Sequence, residues 1–487
     1  MTEMNLVRRD FLKTLGLGSL ALGMPGRGFG ADSPKNLPNV VFILVDDMGW
    51  SDLACYGADL HETPNIDRFA SQCTRFTDAY AASPVCTPTR ASILTGKYPA
   101  RLHMTVWREN SLGTPDDSKK MIPPRCVSDL PHEEITIAEV FKQAGYQTAH
   151  VGKWHLGDAT HYPETQGFDV NIGGTLWGAP NTYFYPYKGS DYYRESRYVP
   201  HLEFGEPGEY LTDRLTSEAL NLMEKMHNGP FFLNLAYHTV HTPIEGKPEL
   251  VEYYKQKIKE GMRHQHPGYA AMVRSLDENV GRVLAKLDAL GIADNTVVIL
   301  FSDNGGYINK KDGIPVTDNS PLRSGKGCLY EGGIREPLMI RWPGVTRPES
   351  VCQEPVCSID FYPTLLEITG LSGDPKHNRD VDGTSLVPVL RDPNSSLNRE
   401  TLCWHYPHYY FFPETGPVGA IRQGDWKLVE HFEDGKLELF NLKDDLQEQN
   451  DLADRLPSKA TSLHKALVKW REDVNAQMPE ANPKAQK

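Results

Sequence analysis

The sequence predicts an α/β protein with a large sheet, mainly parallel or mixed, that is flanked by helices and followed by a smaller C-terminal α+β subdomain with an antiparallel sheet. Between residues 37 and 395, continuous apolar runs alternate with helix-like segments, which is typical of buried strands covered by helices. From residue 396 onward, Gly424-Asp425 and Asp434-Gly435 separate short extended runs, a hairpin signal. The 487 residues, 39% of them hydrophobic, suffice for one large domain and one small one.

The predicted strands of the large domain are continuously apolar, as expected for strands buried on both faces. In chain order they are residues 39–45, 147–151, 230–236, 296–301 and, shorter, 338–341. Helices are predicted between them at residues 136–143, 209–226 and 269–290, the last with apolar residues at helical spacing. This alternation predicts one α/β domain over residues 37–395.

The C-terminal subdomain, residues 396–487, is predicted from extended runs and a closing helix. The runs are 419–423, 426–430 and 437–441, and the helix is 458–474. A further segment, residues 183–199, is rich in tyrosine, proline and charge and is interpreted as a surface loop.

The N-terminus has the three parts of an export signal. Arg8 and Arg9 precede an apolar, glycine-rich stretch at 15–24, and small residues follow at 26–31. Paired arginines followed by Phe-Leu-Lys resemble a bacterial twin-arginine signal; a Sec signal or a membrane anchor is the alternative. The apolar stretch is too short for a normal membrane span. We therefore expect residues 1–31 to be a twin-arginine signal peptide and the mature protein to be periplasmic or extracellular.

Charge and cysteine spacing exclude two functional classes. The net charge of −13 is opposite to what binding of a nucleic acid backbone requires. The eight cysteines form no CxxC pair, which argues against a zinc knuckle. A disulfide between Cys352 and Cys357 is left open by the sequence.

Oxygen-bearing side chains follow two predicted strands. Asp46 and Asp47 come directly after the first strand, and Asp303 and Asn304 follow the strand at 296–301. Ligands of open α/β sheets bind at the carboxyl ends of the strands, and carboxylate and amide oxygens suit calcium or magnesium. The alternative is that these residues are ordinary turn or cap residues. Two such pairs at two strand ends favour a metal site.

Cys86 precedes a predicted helix. Pro88 fits the first turn of that helix, which would extend to Leu94 and place Cys86 at its positive end, where an anion is favoured. A buried structural cysteine is the alternative that spacing alone leaves open.

The stretch around Cys86 resembles the activating motif of the sulfatase family, Cys-x-Pro-x-Arg followed by Leu-Thr-Gly. Further segments resemble blocks of the same family, in the family's order and over nearly the whole mature chain. They are Asp-Asp-Met-Gly at 46–49, Thr-Pro-Asn-Ile-Asp at 63–67, Gly-Lys-Trp-His-Leu-Gly at 152–157, Ser-Asp-Asn-Gly-Gly at 302–306, Gly-Lys-Gly at 325–327, Glu-Gly-Gly-Ile-Arg-Glu-Pro at 331–337 and Gly-Asp-Trp-Lys-Leu at 424–428.

The resemblance implies an alkaline-phosphatase-like fold and a site built around an oxidised cysteine. In that family the motif cysteine becomes formylglycine, which hydrates to a geminal diol, and Cys86 matches it. The implied ligands of a single calcium ion, preferred here to magnesium, are Asp46, Asp47, Asp303 and Asn304, with residue 86 completing the set. The remaining implied site residues are Arg90, Lys153, His155, His241 and Lys326. His238 competes with His241 for its role.

The resemblance also implies the reaction. Metal and cationic side chains would stabilise charge on the sulfuryl oxygens while one diol hydroxyl attacks sulfur. His241 or Lys326 would protonate the leaving alcohol, and a base, His155, would help to expel sulfate by taking the second hydroxyl's proton.

Substrate and partners are expected from the same resemblance. We expect an exported arylsulfatase-type enzyme, similar to arylsulfatase A and N-acetylgalactosamine sulfatases, that acts on a sulfated sugar or polysaccharide. Its partners would be a formylglycine-generating enzyme and the twin-arginine export machinery; the oligomeric state stays open. Residues proposed for the substrate rim are Trp107, Arg108, Trp177, Asn181 and His408. Alternatives are a formylglycine-dependent phosphodiesterase or phosphonate hydrolase of the same superfamily, and an exported binding protein with unconverted Cys86.

Overall fold

The structure is a computed structural model that describes residues 37–411 and 416–485. The predicted signal peptide lies outside the described residues. The described residues, all beyond Asn36, belong to one compact unit, and the domain boundary at residue 396 stays a prediction. The strands are β1 Asn39–Val45, β2 Thr74–Tyr80, β3 Met121–Ile122, β4 Gln147–Gly152, β5 Val170–Ile172, β6 Phe231–Ala236, β7 Thr296–Ser302, β8 Lys310–Lys311, β9 Ile314–Pro315, β10 Arg335–Arg341, β11 Ser350–Cys352, β12 Val356–Cys357, β13 Thr401–Tyr406, β14 Val418–Gln423, β15 Trp426–His431, β16 Leu437–Asn441 and β17 Glu480–Ala481.

Helices alternate with these strands through the large domain. They are α1 Pro64–Ala70, α2 Cys86–Thr95, α3 Pro99–Leu102, α4 Arg108–Ser111, α5 Ile137–Gln143, α6 Leu211–Met226, α7 Pro248–Lys257, α8 Pro267–Ala289, α9 Glu331–Ile334, α10 Phe361–Thr369, α11 Pro375–Asn378, α12 Val387–Arg391 and α13 Pro457–Asp473. The predicted helices at 136–143, 209–226 and 269–290 correspond to α5, α6 and α8. In α5, Thr136 and Glu139 form a reciprocal capping box that fixes where the helix begins.

The large sheet has nine strands and mixed direction. Its order is β11-β2-β10-β7-β1-β6-β4-β5, with β12 also paired to β2. The neighbours β7-β1-β6-β4-β5 are all parallel, whereas β10 is antiparallel to both β7 and β2. The prediction of a large, mainly parallel or mixed sheet is therefore confirmed. Strand β2, a TRFTDAY segment, was not predicted.

The alternation of side chains along β1 explains why helices cover both faces of the sheet. Val41, Ile43 and Val45 belong to a buried cluster with side chains of α1, α6 and α8. Val40, Phe42 and Leu44 point the opposite way and belong to a cluster with side chains of α2, α5 and α10. A strand that is apolar at every position therefore contributes to two cores at once.

The C-terminal strands form a separate antiparallel sheet. Its order is β13-β14-β15-β16, and β14-β15-β16 match the three predicted runs; β13 was not predicted. Helix α13 covers one face, where Leu463 and Leu467 pack with Ile421, Leu428 and Leu439. An antiparallel sheet with a closing helix was the prediction for this region.

Two other predictions concern the loop at 183–199 and the cysteines. The loop is not merely superficial, because Tyr183, Tyr187 and Arg197 are buried within it. Cys352 and Cys357 both carry free thiols, so they are not bridged. Within the described residues, no helix combines the length and the apolar character needed to cross a membrane.

A buried ion cluster joins β15 to the large domain. The Nζ atom of Lys427 lies 2.8 Å from Glu331 Oε1 and 2.8 Å from Glu448 Oε1, and all three side chains are fully buried. Glu331 also accepts hydrogen bonds from Tyr80 and Arg335. Lys427 thus holds two buried carboxylates at the junction of the sheets.

Replacing Lys427 by methionine is expected to destabilise the fold by about 3–5 kcal/mol, because it leaves two buried carboxylates without their shared cation. Chemical denaturation followed by circular dichroism measures this. Lys443→Met, at an exposed position, is the matched control and should change the free energy of unfolding by about 0.5 kcal/mol or less. Equal stability of the two variants would contradict the role assigned to Lys427.

Candidate active site

The ends of β1 and β7 place the predicted oxygen ligands side by side. The two strands are parallel neighbours, with Val45 opposite Ser302, so the residues that follow them meet at one edge of the sheet. The backbone N–H of Asp47 donates to Asp303 Oδ1 at 3.3 Å, and Asn304 Nδ2 donates to Asp47 Oδ1 at 2.8 Å. Asp46, Asp47, Asp303 and Asn304 are all at most 1% exposed.

Three oxygens of this group are buried without a hydrogen-bond partner: Asp46 Oδ1, Asp47 Oδ2 and Asn304 Oδ1. Oxygens of Asp46 and Asp303 and the Cys86 sulfur lie within 4.8 Å of one another. Buried oxygens without donors are costly unless a cation or another donor meets them. The donor set therefore fits a hard divalent cation.

The charge environment distinguishes the first two aspartates. Burial, together with Asp303 and Asp47, raises the pKa of Asp46 well above its usual range, although the charge of Lys153 opposes the shift. Burial also acts to raise the pKa of Asp47, but His241, Lys326 and Lys153 outweigh it and lower that pKa. Asp47 is therefore held ionised by its neighbours, whereas Asp46 gains most from an additional positive charge.

Cys86 is the first residue of α2 and faces this group. Val85 before it is extended and provides no side-chain cap, so backbone N–H groups of the first turn are free to meet an anion. Pro88 lies in that first turn, where its missing N–H costs nothing. The side chain of Cys86 is 3% exposed and lines a cavity.

Three buried cations surround the aspartates. Lys153 Nζ donates to Asp46 Oδ2 at 2.7 Å, and Lys326 Nζ donates to Asp47 Oδ1 at 2.5 Å. Because each cation is already paired with a carboxylate, their charge is fixed in place before any ligand arrives.

Arg90 is the third of these cations. Its Nε donates to Asp303 Oδ2 at 2.8 Å and its Nη1 donates to the carbonyl of Lys153 at 2.8 Å. Its Nη2 is buried without a hydrogen-bond partner, which leaves one donor for a ligand. Lys326 lines the cavity, whereas Arg90 and Lys153 are not among its lining residues.

The geometry separates the two competing histidines. His241 Nε2 lies 3.5 Å from Asp47 Oδ2, its Nδ1 is 2.8 Å from the carbonyl of Thr242, and its side chain lines the cavity. His238 is buried and does not line the cavity. Burial lowers the pKa of both imidazoles. The position of His241 favours it as the site histidine.

His155 lines the same cavity and is paired with an acid that sequence analysis missed. Its Nε2 lies 2.6 Å from Glu109 Oε2, and Glu109 also lines the cavity. Burial acts to raise the pKa of Glu109, but the charge and hydrogen bond of His155 outweigh it and lower that pKa. No sequence signal marked Glu109, which belongs to the short helix α4.

The cavity has a volume of about 320 Å³ and combines a polar floor with aromatic walls. Trp107 lies 5.5 Å from Tyr410 and 5.8 Å from Phe411 between ring centroids. Tyr193 and Tyr307 also line it. Of these aromatic residues, only Trp107 was predicted.

The other four proposed rim residues are not among those that line the cavity. Arg108 Nε is bound to Asp129 Oδ1 at 2.8 Å, and His408 Nε2 is 2.8 Å from the Thr105 hydroxyl. Both side chains are buried, so their polar groups are used within the fold.

Asn181 and Trp177 lie behind the wall that contains Tyr193. Asn181 Oδ1 accepts the backbone N–H of Tyr193 at 3.3 Å. The guanidinium of Arg197 stacks 3.4 Å from the centre of the Tyr193 ring and 5.1 Å from that of Trp177. Arg197 and Glu195 line the cavity, and neither was predicted.

Comparisons with known proteins identify the family to which the chain is similar. The sulfatase family model matches residues 38–371, and a model of the C-terminal part of N-sulphoglucosamine sulphohydrolase matches residues 324–475. A sulfatase from Formosa agariphila is 34% identical over 90% of this chain and 89% of its own length. Human N-acetylgalactosamine-6-sulfatase is 34% identical over 74% of this chain and 67% of its own length.

Solved structures give the same result. The crystal structure of Ps i-CgsB in complex with k-i-k-neocarrahexaose is 30% identical, with a TM-score of 0.74, and the match covers 89% of this chain and 92% of that one. The phosphonate monoester hydrolase of Agrobacterium radiobacter is 18% identical, with a TM-score of 0.67, over 90% of this chain and 96% of its own. The latter likeness shows a shared fold only.

Proposed function

The chain belongs to the sulfatase family and is a sulfuric ester hydrolase, and from this premise we propose that it cleaves sulfate esters of a sulfated sugar or polysaccharide through a formylglycine derived from Cys86 and one calcium ion. The observation that carries the proposal is that Cys86, Asp47 and Lys326 line one cavity, next to a buried group with three unpartnered oxygens and two further buried cations. With a divalent cation bound there, net positive charge would match an anionic ester, and the helix N-terminus would add to it.

The two groups that complete the site have separate tasks. Cys86 is the residue that would carry the formylglycine, which when hydrated would supply one hydroxyl as a nucleophile for sulfur and a second whose deprotonation would release sulfate. Asp46, Asp47, Asp303 and Asn304 would hold the calcium ion, which would supply Lewis acidity towards the sulfuryl oxygens and favour an ionised nucleophile. The all-oxygen donor set supports calcium over softer metals.

The side chains of this chain bind the ester and move protons. Arg90, through its free Nη2, and Lys326, on the cavity wall, hold the sulfuryl oxygens, where negative charge grows during the reaction. Lys153 donates to Asp46 and favours its ionised form, in opposition to burial. His241 lines the wall beside Lys326, and either one protonates the leaving oxygen. His155 accepts the proton lost at position 86.

The shape of the cavity supports a carbohydrate substrate. The rings of Trp107, Tyr410 and Phe411 contact one another on the cavity wall. Tyr193, which is stacked on Arg197, also lines the cavity. Aromatic rings pack against the apolar faces of sugar rings while polar edges stay hydrated. A structure of a 30% identical relative, Ps i-CgsB, was determined in complex with k-i-k-neocarrahexaose, which supports the same substrate class.

A direct comparison of esters tests the proposed function. Purified enzyme is assayed on defined sulfated saccharides and, in parallel, on a phosphodiester and a phosphonate monoester. We expect kcat/KM for at least one sulfated saccharide to exceed both phosphorus esters. Faster cleavage of a phosphorus ester would refute the proposal in favour of a phosphodiesterase or phosphonate hydrolase, and activity on neither would favour an exported binding protein.

We also propose that residues 1–31 direct export by the twin-arginine route and that Cys86 is converted beforehand in the cytoplasm. That route carries folded proteins, whereas α2 and Cys86 are buried once the chain has folded. Mass spectrometry of the Cys86 peptide from each compartment tests this. Unmodified cysteine inside the cell together with formylglycine outside would contradict it.

A further inference from the structure

The backbone of His155 is held in an unusual conformation next to the nucleophile's helix. Its φ angle is +61°, a left-handed conformation that is costly for a residue other than glycine. Its N–H donates to the carbonyl of Thr175 at 3.0 Å, and its carbonyl accepts from the hydroxyl of Thr87 at 3.0 Å. Because Thr87 directly follows Cys86, the side chain of Thr87 links the backbone of His155 to the residue next to Cys86.

The imidazole ring is fixed as firmly as the backbone. Gly178 lies so close to it that a Cβ at that position would be 2.4 Å from Cε1 and 2.7 Å from Nε2 of the ring. The N–H of Gly178 donates to Glu109 Oε1 at 3.1 Å, while Glu109 Oε2 is the atom 2.6 Å from His155 Nε2. Glu109 therefore holds the ring with one oxygen and the backbone that packs on the ring with the other.

The charge of Glu109 determines which ring nitrogen carries the proton. An ionised carboxylate can only accept, so Nε2 must be the donor and Nδ1 keeps its lone pair. Nδ1 is buried and has no hydrogen-bond partner among the described residues. The charges of Lys153 and Arg90 act, with burial, to lower the pKa of His155, while Glu109 opposes them. Glu109 is thus the acid that supports a positive charge on this ring.

We propose that Glu109 is a positioning residue that holds His155 as the Nε2–H tautomer, with Nδ1 free to accept the proton released at position 86. The inference rests on the proposed function for the identity of that proton. The step requires one proton transfer: an O–H bond at position 86 breaks, its proton moves to Nδ1, and Glu109 remains ionised opposite the imidazolium. The arrangement is the one by which a carboxylate orients a catalytic histidine.

The tautomer can be measured independently of turnover. Protein labelled with ¹⁵N only at histidine is studied by long-range ¹H–¹⁵N correlation, with His155 assigned through a His155→Gln variant. We expect Nε2 to be protonated in the wild type. Glu109→Gln, whose amide can donate to Nε2, should remove this preference, whereas Glu133→Gln, at an exposed position, should leave the His155 signals unchanged. A protonated Nδ1 in the wild type, or an unaltered tautomer in Glu109→Gln, would overturn the proposal.

Kinetics give a second readout. Glu109→Gln should lower kcat about 10–100-fold with KM changed less than about twofold, because the ester still binds. Glu109→Asp keeps the charge and should recover part of kcat, which a merely structural role would not produce. If Glu109→Gln unfolds, Gly178→Ala, which displaces the ring, must lower kcat in the same way. Loss of the tautomer without loss of kcat would reject the positioning role, and absence of any sulfatase activity in the wild type would instead reject the proposed function.

Discussion

Replacing Cys86 by alanine is expected to lower kcat/KM for a sulfate ester by about four to six orders of magnitude. The substitution removes the thiol that the proposed conversion to formylglycine requires, while the cations and the aromatic walls remain to bind the ester. Losses of this size follow removal of a covalent nucleophile in other hydrolases. Because Cys86 is small and does not lie in a wide apolar core, its replacement by alanine should change the free energy of unfolding little. Initial rates on a sulfated saccharide give the measurement.

A matched cysteine controls for general effects of removing a thiol. Cys55 is also free and half-buried but does not line the cavity, so Cys55→Ala should retain activity within a few fold. Peptide mass spectrometry of the wild type should show that residue 86 has lost sulfur and gained oxygen, whereas Cys55 has not. Full activity of a preparation in which Cys86 is entirely a thiol would contradict the proposed nucleophile.

Binding of the substrate should survive this substitution. Because Arg90, Lys326 and the aromatic walls are unchanged in Cys86→Ala, a sulfated saccharide is expected to bind with a Kd within about tenfold of the wild-type KM. Isothermal titration calorimetry measures it. Binding without turnover separates the role of residue 86 from that of the residues that hold the ester.

The side chains at the ends of β1 and β7 and at the start of α2 could be predicted because their positions follow from local sequence patterns. Asp46 and Asp303 each follow a continuously apolar run, and parallel strands bring their carboxyl ends to one edge of a sheet. The structure has β1 beside β7, as that reasoning requires. Cys86 likewise precedes a proline that can only lie in a first helical turn. These features need no knowledge of distant packing.

The walls of the cavity could not be predicted because they depend on contacts between segments far apart in sequence. Glu109 meets His155 across 46 residues from a helix of four residues, too short to leave a periodic pattern. His408 was placed at the mouth of the site, but its ring is bound to Thr105, 303 residues away. The antiparallel direction of β10 has a similar cause, since a single apolar run does not show which way a strand points.

Removing the metal should be nearly as damaging as removing the nucleophile, and the arrangement of charges explains why. Asp46, Asp47 and Asp303 are paired with Lys153, Lys326 and Arg90, respectively. These pairs neutralise one another, so an incoming ester anion meets little net positive charge unless a divalent cation is added. The unpartnered oxygens on Asp46 and Asp47 are where that cation gains its ligands.

Stripping calcium with a chelator is therefore expected to lower kcat/KM at least about 10³-fold, since a metal contributes several kcal/mol to stabilising charge in the transition state. Adding calcium back should restore activity and, at a free concentration of 100 Kd, raise the free energy of unfolding by about 2.7 kcal/mol. Asp303→Asn keeps the size of the side chain but removes a charge that both the metal and Arg90 need, so it should abolish the calcium-dependent rise in Tm. Asp294→Asn, at an exposed position, is the control and should keep it. Two results would contradict the metal site: full activity of the chelated enzyme, or stabilisation of Asp303→Asn by calcium as strong as that of the wild type. The four oxygen-bearing side chains at the ends of β1 and β7 would then be ion-pair partners of the buried cations and not metal ligands.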